Sequence, residues 1–352
     1  MAQISLFFCN FAFMKPRIII DANIPYIRGA FDDVADVEYL VAKDITHDKA
    51  MRADALIVRT RTRCNAALLK GSRVKMIATA TIGIDHIDTE YCDTHNIQWT
   101  NAPGCNAESV AQWVGSALSV WANKQGCSLI GKTIGIVGHG HVGTRVEQLA
   151  RLLGMKVLLN DPPKALTNPE RYVDLLTIAK ECDVITFHTP LTTEGEFATL
   201  ELANENFFSN IQKDTFIINA ARGGIIDEKA LLNSGCECAI DCWCGEPKTN
   251  PELREKALIA TPHIAGYSAD GKYNASQQVI VAVAKALDIT PCSIEGLPEW
   301  ESTNAKGDEL RKLLLENYNI LQDSEALKAE PEKFEWFRSN YPIRRELNIM
   351  HI

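Results

Sequence analysis

At 352 residues, with 46% apolar and 23% charged side chains, the chain can form two domains with substantial cores and has the balance of a globular protein. Its net charge of −9 excludes general nucleic-acid binding, which needs a basic surface. Its eleven cysteines show no disulfide-framework spacing, so free thiols in a reducing cytoplasm are expected.

Residues 1–13 form an apolar tail with no basic residue ahead of it, and Lys15 follows it, the wrong order for a secretory signal. The tail is too short to span a bilayer and is expected to be an extension outside the fold. Strands are predicted at 17–21, 37–41, 55–58, 75–80 and 97–100. Between Ala55 and Ile84 lie six basic residues (Arg59, Arg61, Arg63, Lys70, Arg73 and Lys75) and no acidic one, a positive stretch suited to an anionic ligand. Arg59 is the first candidate for a phosphate contact; a merely solvated basic face is the alternative. Asn106 can cap a helix that carries Val110, Val114, Ala117, Leu118 and Trp121 at helical spacing.

A second α/β series follows, with strands at 133–137, 156–160, 184–187, 216–219, 239–240 and 258–261, a helix at 142–153 and another at 272–287. This alternation reads as an α/β fold with mostly parallel sheets. It predicts a dinucleotide domain at 106–263 inserted into a substrate domain made of 1–105 and 264–290, with a small α/β tail at 291–352.

Gly138-His-Gly-His-Val-Gly143 follows a strand and opens a helix, which is the context a dinucleotide fingerprint requires. Gly138 permits the turn, Gly140 lets backbone approach a pyrophosphate, and Gly143 lets the helix pack on the sheet. His141 and Val142 then offer backbone N–H groups at a helix N-terminus. Asp161 closes the next strand, where it can accept ribose hydroxyls and repel a 2′-phosphate, so NAD is expected over NADP.

Arg222, Glu246 and His263 follow in order, each near the carboxyl end of a predicted strand. Oxidising a 2-hydroxy acid needs a carboxylate clamp and a proton acceptor. A guanidinium binds a carboxylate through two hydrogen bonds. An imidazole titrates near working pH, and a carboxylate on its other nitrogen orients it. The Cys236-Glu-Cys238 and Cys242-Trp-Cys244 pairs depart from zinc-site spacing and lack a neighbouring His pair, so no metal is expected.

These stretches, with Asp21-Ala-Asn-Ile-Pro-Tyr26, Ile57-Val-Arg-Thr60, Thr79-Ala-Thr-Ile-Gly-Ile-Asp-His86, Ala102-Pro-Gly-Cys-Asn106, Phe187-His-Thr-Pro190 and His263-Ile-Ala-Gly-Tyr267, resemble the D-isomer-specific 2-hydroxyacid dehydrogenase family across roughly residues 15 to 290. The resemblance implies a Rossmann domain inserted into a flavodoxin-like lid domain, and a homodimer. It implies substrate contacts at Thr60, Thr81 and Tyr267, NAD contacts at Asp161, Thr189, Ala221, Arg222, Asp241 and Gly266, and catalysis by Arg222, Glu246 and His263. The implied reaction is NAD-linked oxidation of 4-phospho-D-erythronate to (R)-3-hydroxy-2-oxo-4-phosphobutanoate, on the way to pyridoxal 5′-phosphate. Another short acid such as 3-phosphoglycerate, or a non-catalytic NAD-binding regulator, remains open. After Pro291 only the segments at 332–341 and 344–346 echo the family.

Overall fold

The structure is a computed structural model that describes residues 15–299 and 301–350, so the expected extension at 1–13 lies outside the described residues. The described strands form two parallel sheets. β1 (Arg17–Asp21), β2 (Asp36–Leu40), β3 (Ala55–Val58), β4 (Met76–Thr79) and β5 (Gln98–Thr100) make a sheet of order β2-β1-β3-β4-β5, the flavodoxin-like order. Its central strands are unbroken apolar runs because both faces are covered. Ile18, Ile20 and Ile57 face one core with Val279 and Val283, while Ile19, Leu56 and Val58 face another with Leu68 and Ile77.

The second sheet contains β6 (Thr133–Val137), β7 (Lys156–Asn160), β8 (Val184–Phe187), β9 (Phe216–Asn219), β10 (Cys238–Ile240) and β11 (Ile259–Ala260). Its order, β11-β10-β9-β8-β6-β7, reverses between β6 and β8, so a dinucleotide crevice belongs at the carboxyl ends of those two strands. The helices Ala107–Gln125 and His141–Leu152 share a core with this sheet. Trp113 is fully buried there, and Trp121 stacks on Phe216 with ring centroids 5.4 Å apart. Each such large apolar side chain contributes about 1.5–3 kcal/mol by leaving water.

Three expectations are corrected. The chain divides into residues through Pro103 with Tyr273–Gly296, and Gly104–Lys272 with residues from Leu297 onward, rather than at 105/106 and 263/264. Residues 264–272 stay with the second unit because Ile264 and Ala265 donate to Asp241, and Ser109 donates to the Ala265 carbonyl. The segment after 296 is likewise part of that unit. Leu310 and Leu314 of the helix Gly307–Asn317 join its core, and Ser324 of the helix Ile320–Ala329 accepts the Ala260 N–H at 2.9 Å. The expected α/β tail is helical, its β pairing limited among the described residues to the isolated bridge Thr303–Ile349. Finally, Asn106 precedes the helix but does not cap it; its side chain donates to the Gly266 carbonyl at 3.3 Å.

Candidate active site

The glycine turn is shaped by close backbone approach. Gly138 has φ +90°, and a side-chain carbon there would meet the His188 backbone and Thr189 at 2.7–2.8 Å. At Gly143 a side chain would overlap the Gly138 carbonyl oxygen, whereas Gly140 faces open space. The twelve-residue helix His141–Leu152 starts at Gly140 with no side-chain cap, leaving its first N–H groups for an anion. Asp161 directly follows β7; its Oδ2 accepts the His139 N–H at 2.9 Å and its Oδ1 the Lys164 N–H at 3.2 Å. Each carboxylate oxygen retains a lone pair for a ribose hydroxyl. Thr189 Oγ1 and His188 Nδ1 are buried without partners beside this turn. Orphaned polar atoms next to an uncapped helix fit a bound dinucleotide. His188 is a neutral imidazole, since burial pushes its pKa down to about 3, and its Nε2 pairs with Thr186 Oγ1 at 2.9 Å.

His263 and Glu246 are paired: Nδ1 lies 2.8 Å from Glu246 Oε2. The other carboxylate oxygen accepts the Trp243 N–H at 2.9 Å, which fixes its orientation. Burial opposes a charged imidazole, but Cys242 and Glu246 outweigh it and raise the His263 pKa well above the ordinary value. Of these two neighbours, the carboxylate carries the charge at neutral pH, because burial pushes the Cys242 thiol up. Glu246 in turn lies below the usual carboxylate range: burial works against this, and the His263 bond and charge prevail. The pair is therefore poised as imidazolium and carboxylate.

Arg222 follows β9, as its position in the sequence implies. A side chain at Gly223 would overlap the Trp243 carbonyl, so the loops after β9 and β10 touch. Arg222 Nη1 donates to the Ala221 carbonyl at 2.7 Å, and the Cys242 thiol donates to the same oxygen at 3.4 Å. One carbonyl thus links the guanidinium to the neighbourhood of His263. Asp241, expected to touch NAD, is buried and internally committed: it accepts from Thr261 Oγ1 at 2.6 Å, Ile264 N at 2.8 Å and Ala265 N at 3.0 Å. Its observed work is to hold the loop that carries His263. Gly266 is packed against Asn106, and Tyr267 follows it, half-buried.

Thr60, Thr81 and Arg59 belong to the first unit. Thr60 is exposed just beyond β3, and Thr81 Oγ1 pairs with Thr79 Oγ1 at 2.7 Å. Arg59 Nε donates to buried Asp21 at 3.2 Å, and Arg73 pairs with Asp54 at 2.8 Å. Part of the positive stretch is thus neutralised within its own unit.

Sequence reasoning missed two neighbours of the His263–Glu246 pair. Cys242, Glu246 and His263 present ligand-type atoms all within 4.8 Å of one another. Arg338, on the helix Phe334–Ser339, lies 6.0 Å from the Tyr267 ring centroid, and its charge lowers the Glu246 pKa. Its Nη1 meets Glu335 at 3.0 Å, while its buried Nε has no partner. The only signal in the sequence was the short echo at 332–341.

Residues 107–265 match the family model described as "D-isomer specific 2-hydroxyacid dehydrogenase, NAD binding domain". The chain is 47% identical over 343 residues to an erythronate-4-phosphate dehydrogenase of Bacteroides thetaiotaomicron, covering 96% of this chain and 99% of that protein. An Escherichia coli protein of the same description is 36% identical, covering 96% of this chain and 93% of its own. Among solved structures, NAD+-bound 3-phosphoglycerate dehydrogenase from Entamoeba histolytica superposes with a TM-score of 0.65 at 26% identity, covering 77% of this chain and 95% of its own. D-lactate dehydrogenase from Aquifex aeolicus, complexed with NAD and lactic acid, gives 0.62 at 25% identity with the same coverage. NAD is accordingly the cofactor. The chain belongs to the D-isomer-specific 2-hydroxyacid dehydrogenase family, in its erythronate-4-phosphate dehydrogenase branch.

Proposed function

We propose that this protein oxidises 4-phospho-D-erythronate at C2, with NAD, to (R)-3-hydroxy-2-oxo-4-phosphobutanoate, a step toward pyridoxal 5′-phosphate. The observation that carries the chemistry is the 2.8 Å His263–Glu246 pair tied through the Ala221 carbonyl region to Arg222. The substrate rests on the relatives, which share the name across nearly the whole chain.

Arg222 holds the C1 carboxylate through its planar fork and keeps positive charge near the C2 oxygen. His263 takes the C2 hydroxyl proton through the nitrogen not bonded to Glu246, and Glu246 stabilises the imidazolium that results. Bound NAD supplies the hydride acceptor. Because the free protein favours the imidazolium, His263 must first lose its proton before it can act as base. Oxidation therefore speeds up as pH rises through that pKa, and reduction of the 2-oxo acid shows the opposite dependence.

Thr60, Thr81 and Tyr267 are the proposed substrate contacts, with Ala221, Thr189 and Gly266 toward the cofactor and Asp241 acting through its loop. For the phosphate, Arg59 gives its Nε to Asp21, whereas Arg338, paired with Glu335 through Nη1, keeps its Nε unpartnered beside Tyr267 and is the stronger candidate. Replacing Arg338 by alanine should raise KM at least about tenfold for the phosphorylated acid and leave unphosphorylated D-erythronate unchanged. The Arg59 substitution should do less.

A cytoplasmic homodimer is the proposed state. The ten described cysteines are free thiols, and Ile343 (84% exposed) and Trp336 (57%) leave apolar surface near the C-terminus. Sedimentation at several concentrations tests the dimer. For the reaction, NADH or product formation is followed with 4-phospho-D-erythronate, 3-phosphoglycerate and D-lactate, with and without a 2-oxo acid to reoxidise bound NADH. The proposal expects kcat/KM highest for 4-phospho-D-erythronate. A preference for 3-phosphoglycerate would replace the substrate, and NAD binding without turnover of any acid would make the protein a regulator.

A further inference from the structure

Cys242 is a buried thiol whose bonds are weak: Sγ lies 3.4 Å from the Ala221 carbonyl and 4.0 Å from Asp241 Oδ2. Its sulfur, a His263 nitrogen and a Glu246 oxygen nonetheless converge within 4.8 Å. Tetrahedral zinc binds sulfur at about 2.3 Å and nitrogen or oxygen at about 2.0–2.2 Å, so its ligand atoms stand roughly 3.3–3.6 Å apart. Binding requires these donors, now within 4.8 Å of one another, to adjust by up to about an ångström. The side chains of His263 and Glu246 are 29% and 21% exposed, so an ion can reach them from solvent.

We propose that Cys242, Glu246 and His263 form a three-ligand site for zinc, and that zinc bound there blocks the acid–base pair. A thiolate, an imidazole and a carboxylate are a donor set suited to a borderline-soft ion, with the fourth position left for water or a substrate oxygen. The thiolate and carboxylate together balance the 2+ charge. On binding, the thiol proton and any imidazolium proton leave to solvent. Zinc on the His263 nitrogen that faces Glu246 displaces their hydrogen bond and leaves the ring proton on the other nitrogen, which can then no longer accept one. Magnesium and calcium, which require oxygen ligands, find no such site here. The C-x-C spacing misleads: Cys244 is exposed, and the ligand that completes the set comes from the loop after β11.

The test uses the purified full-length chain, titrated with cobalt(II) and zinc. Wild type should develop a thiolate-to-cobalt charge-transfer band together with tetrahedral d–d absorption, and zinc should displace both. Zinc should also inhibit turnover reversibly, with a chelator restoring it. Cys242→Val should lose the charge-transfer band and, relative to its own zinc-free rate, need at least tenfold more zinc for half-inhibition. Cys242→Ser gives a near-isosteric second variant in which the band must also vanish, and Cys244→Ser should behave as wild type. Absence of the band in wild type, its persistence in both Cys242 variants, or its loss in Cys244→Ser would overturn the site. These spectra do not depend on which acid the protein oxidises.

Discussion

His263 sits in left-handed backbone, with φ of 56°. That conformation costs a non-glycine residue on the order of 1–2 kcal/mol. It persists because Asp241 accepts the N–H groups of the next two residues, Ile264 and Ala265. Arg344 supports the same loop, donating to the Ala265 carbonyl at 2.7 Å. The ring is thereby aimed, and Glu246 determines its charge. His263's raised pKa means that the pairing stabilises the fold fully below the ordinary 6.5 and that this support is lost as pH rises through the folded value. Glu246's lowered pKa stabilises above the ordinary 4.5, and that contribution fades as pH falls through its folded value. Glu246→Gln should move the alkaline-rising limb of kcat/KM for oxidation to lower pH and reduce its plateau by about 10²-fold. An unmoved limb would mean that another group titrates. Arg222→Lys should raise KM and lower kcat together, because an ammonium cannot supply the bidentate fork.

At the scale of elements, the glycine turn separates two roles that the sequence motif joins. Gly140→Ala meets nothing in the protein, so its melting temperature should match wild type while the Kd for NAD rises at least about tenfold. Gly143→Ala puts a carbon on the Gly138 carbonyl, so it should lower melting temperature as well. Equal melting behaviour of the two variants would contradict this division. Strands in both sheets were legible because apolar runs buried on both faces leave little alternative: β1, β3, β6, β7, β8 and β9 start and end where the residue pattern places them. The pairing of Glu246 with His263 was legible for a related reason, as both lie in loops that follow the carboxyl ends of strands. Cys242 and Arg338 were not. Their nearness to His263 and Tyr267 arises from packing across 21 and 71 residues of chain, which no local period encodes. Asn106 showed the reverse failure: a good cap by type, it was recruited by the Gly266 carbonyl instead.

Across the second unit, the C-terminal segment is bound by buried polar groups as well as by apolar contact. The Glu346 carboxyl accepts the Ser268 hydroxyl at 2.6 Å, its backbone N–H donates to Asp270 at 2.9 Å, and burial raises its pKa to about 7. A carboxyl raised in the fold binds its proton more tightly there than when unfolded. Stability from this group is therefore full below 4.5 and lost as pH rises through about 7. Glu346→Gln removes the buried charge, so thermal melts should find it equal to wild type at pH 4.5 and a few degrees more stable at pH 8. A constant difference across that range would place the proton elsewhere. The same segment brings Arg338 to Tyr267, so the C-terminal part of the chain contributes a charge that acts on Glu246 of the His263–Glu246 pair.

The central claim is that this protein moves a hydride from C2 of 4-phospho-D-erythronate to NAD. Deuterium at C2 tests it directly, by mass spectrometry of the reduced cofactor after incubation with the labelled acid. The account predicts one deuterium in each NADH formed and none in solvent. Unlabelled NADH, or deuterium washed into water, would contradict it.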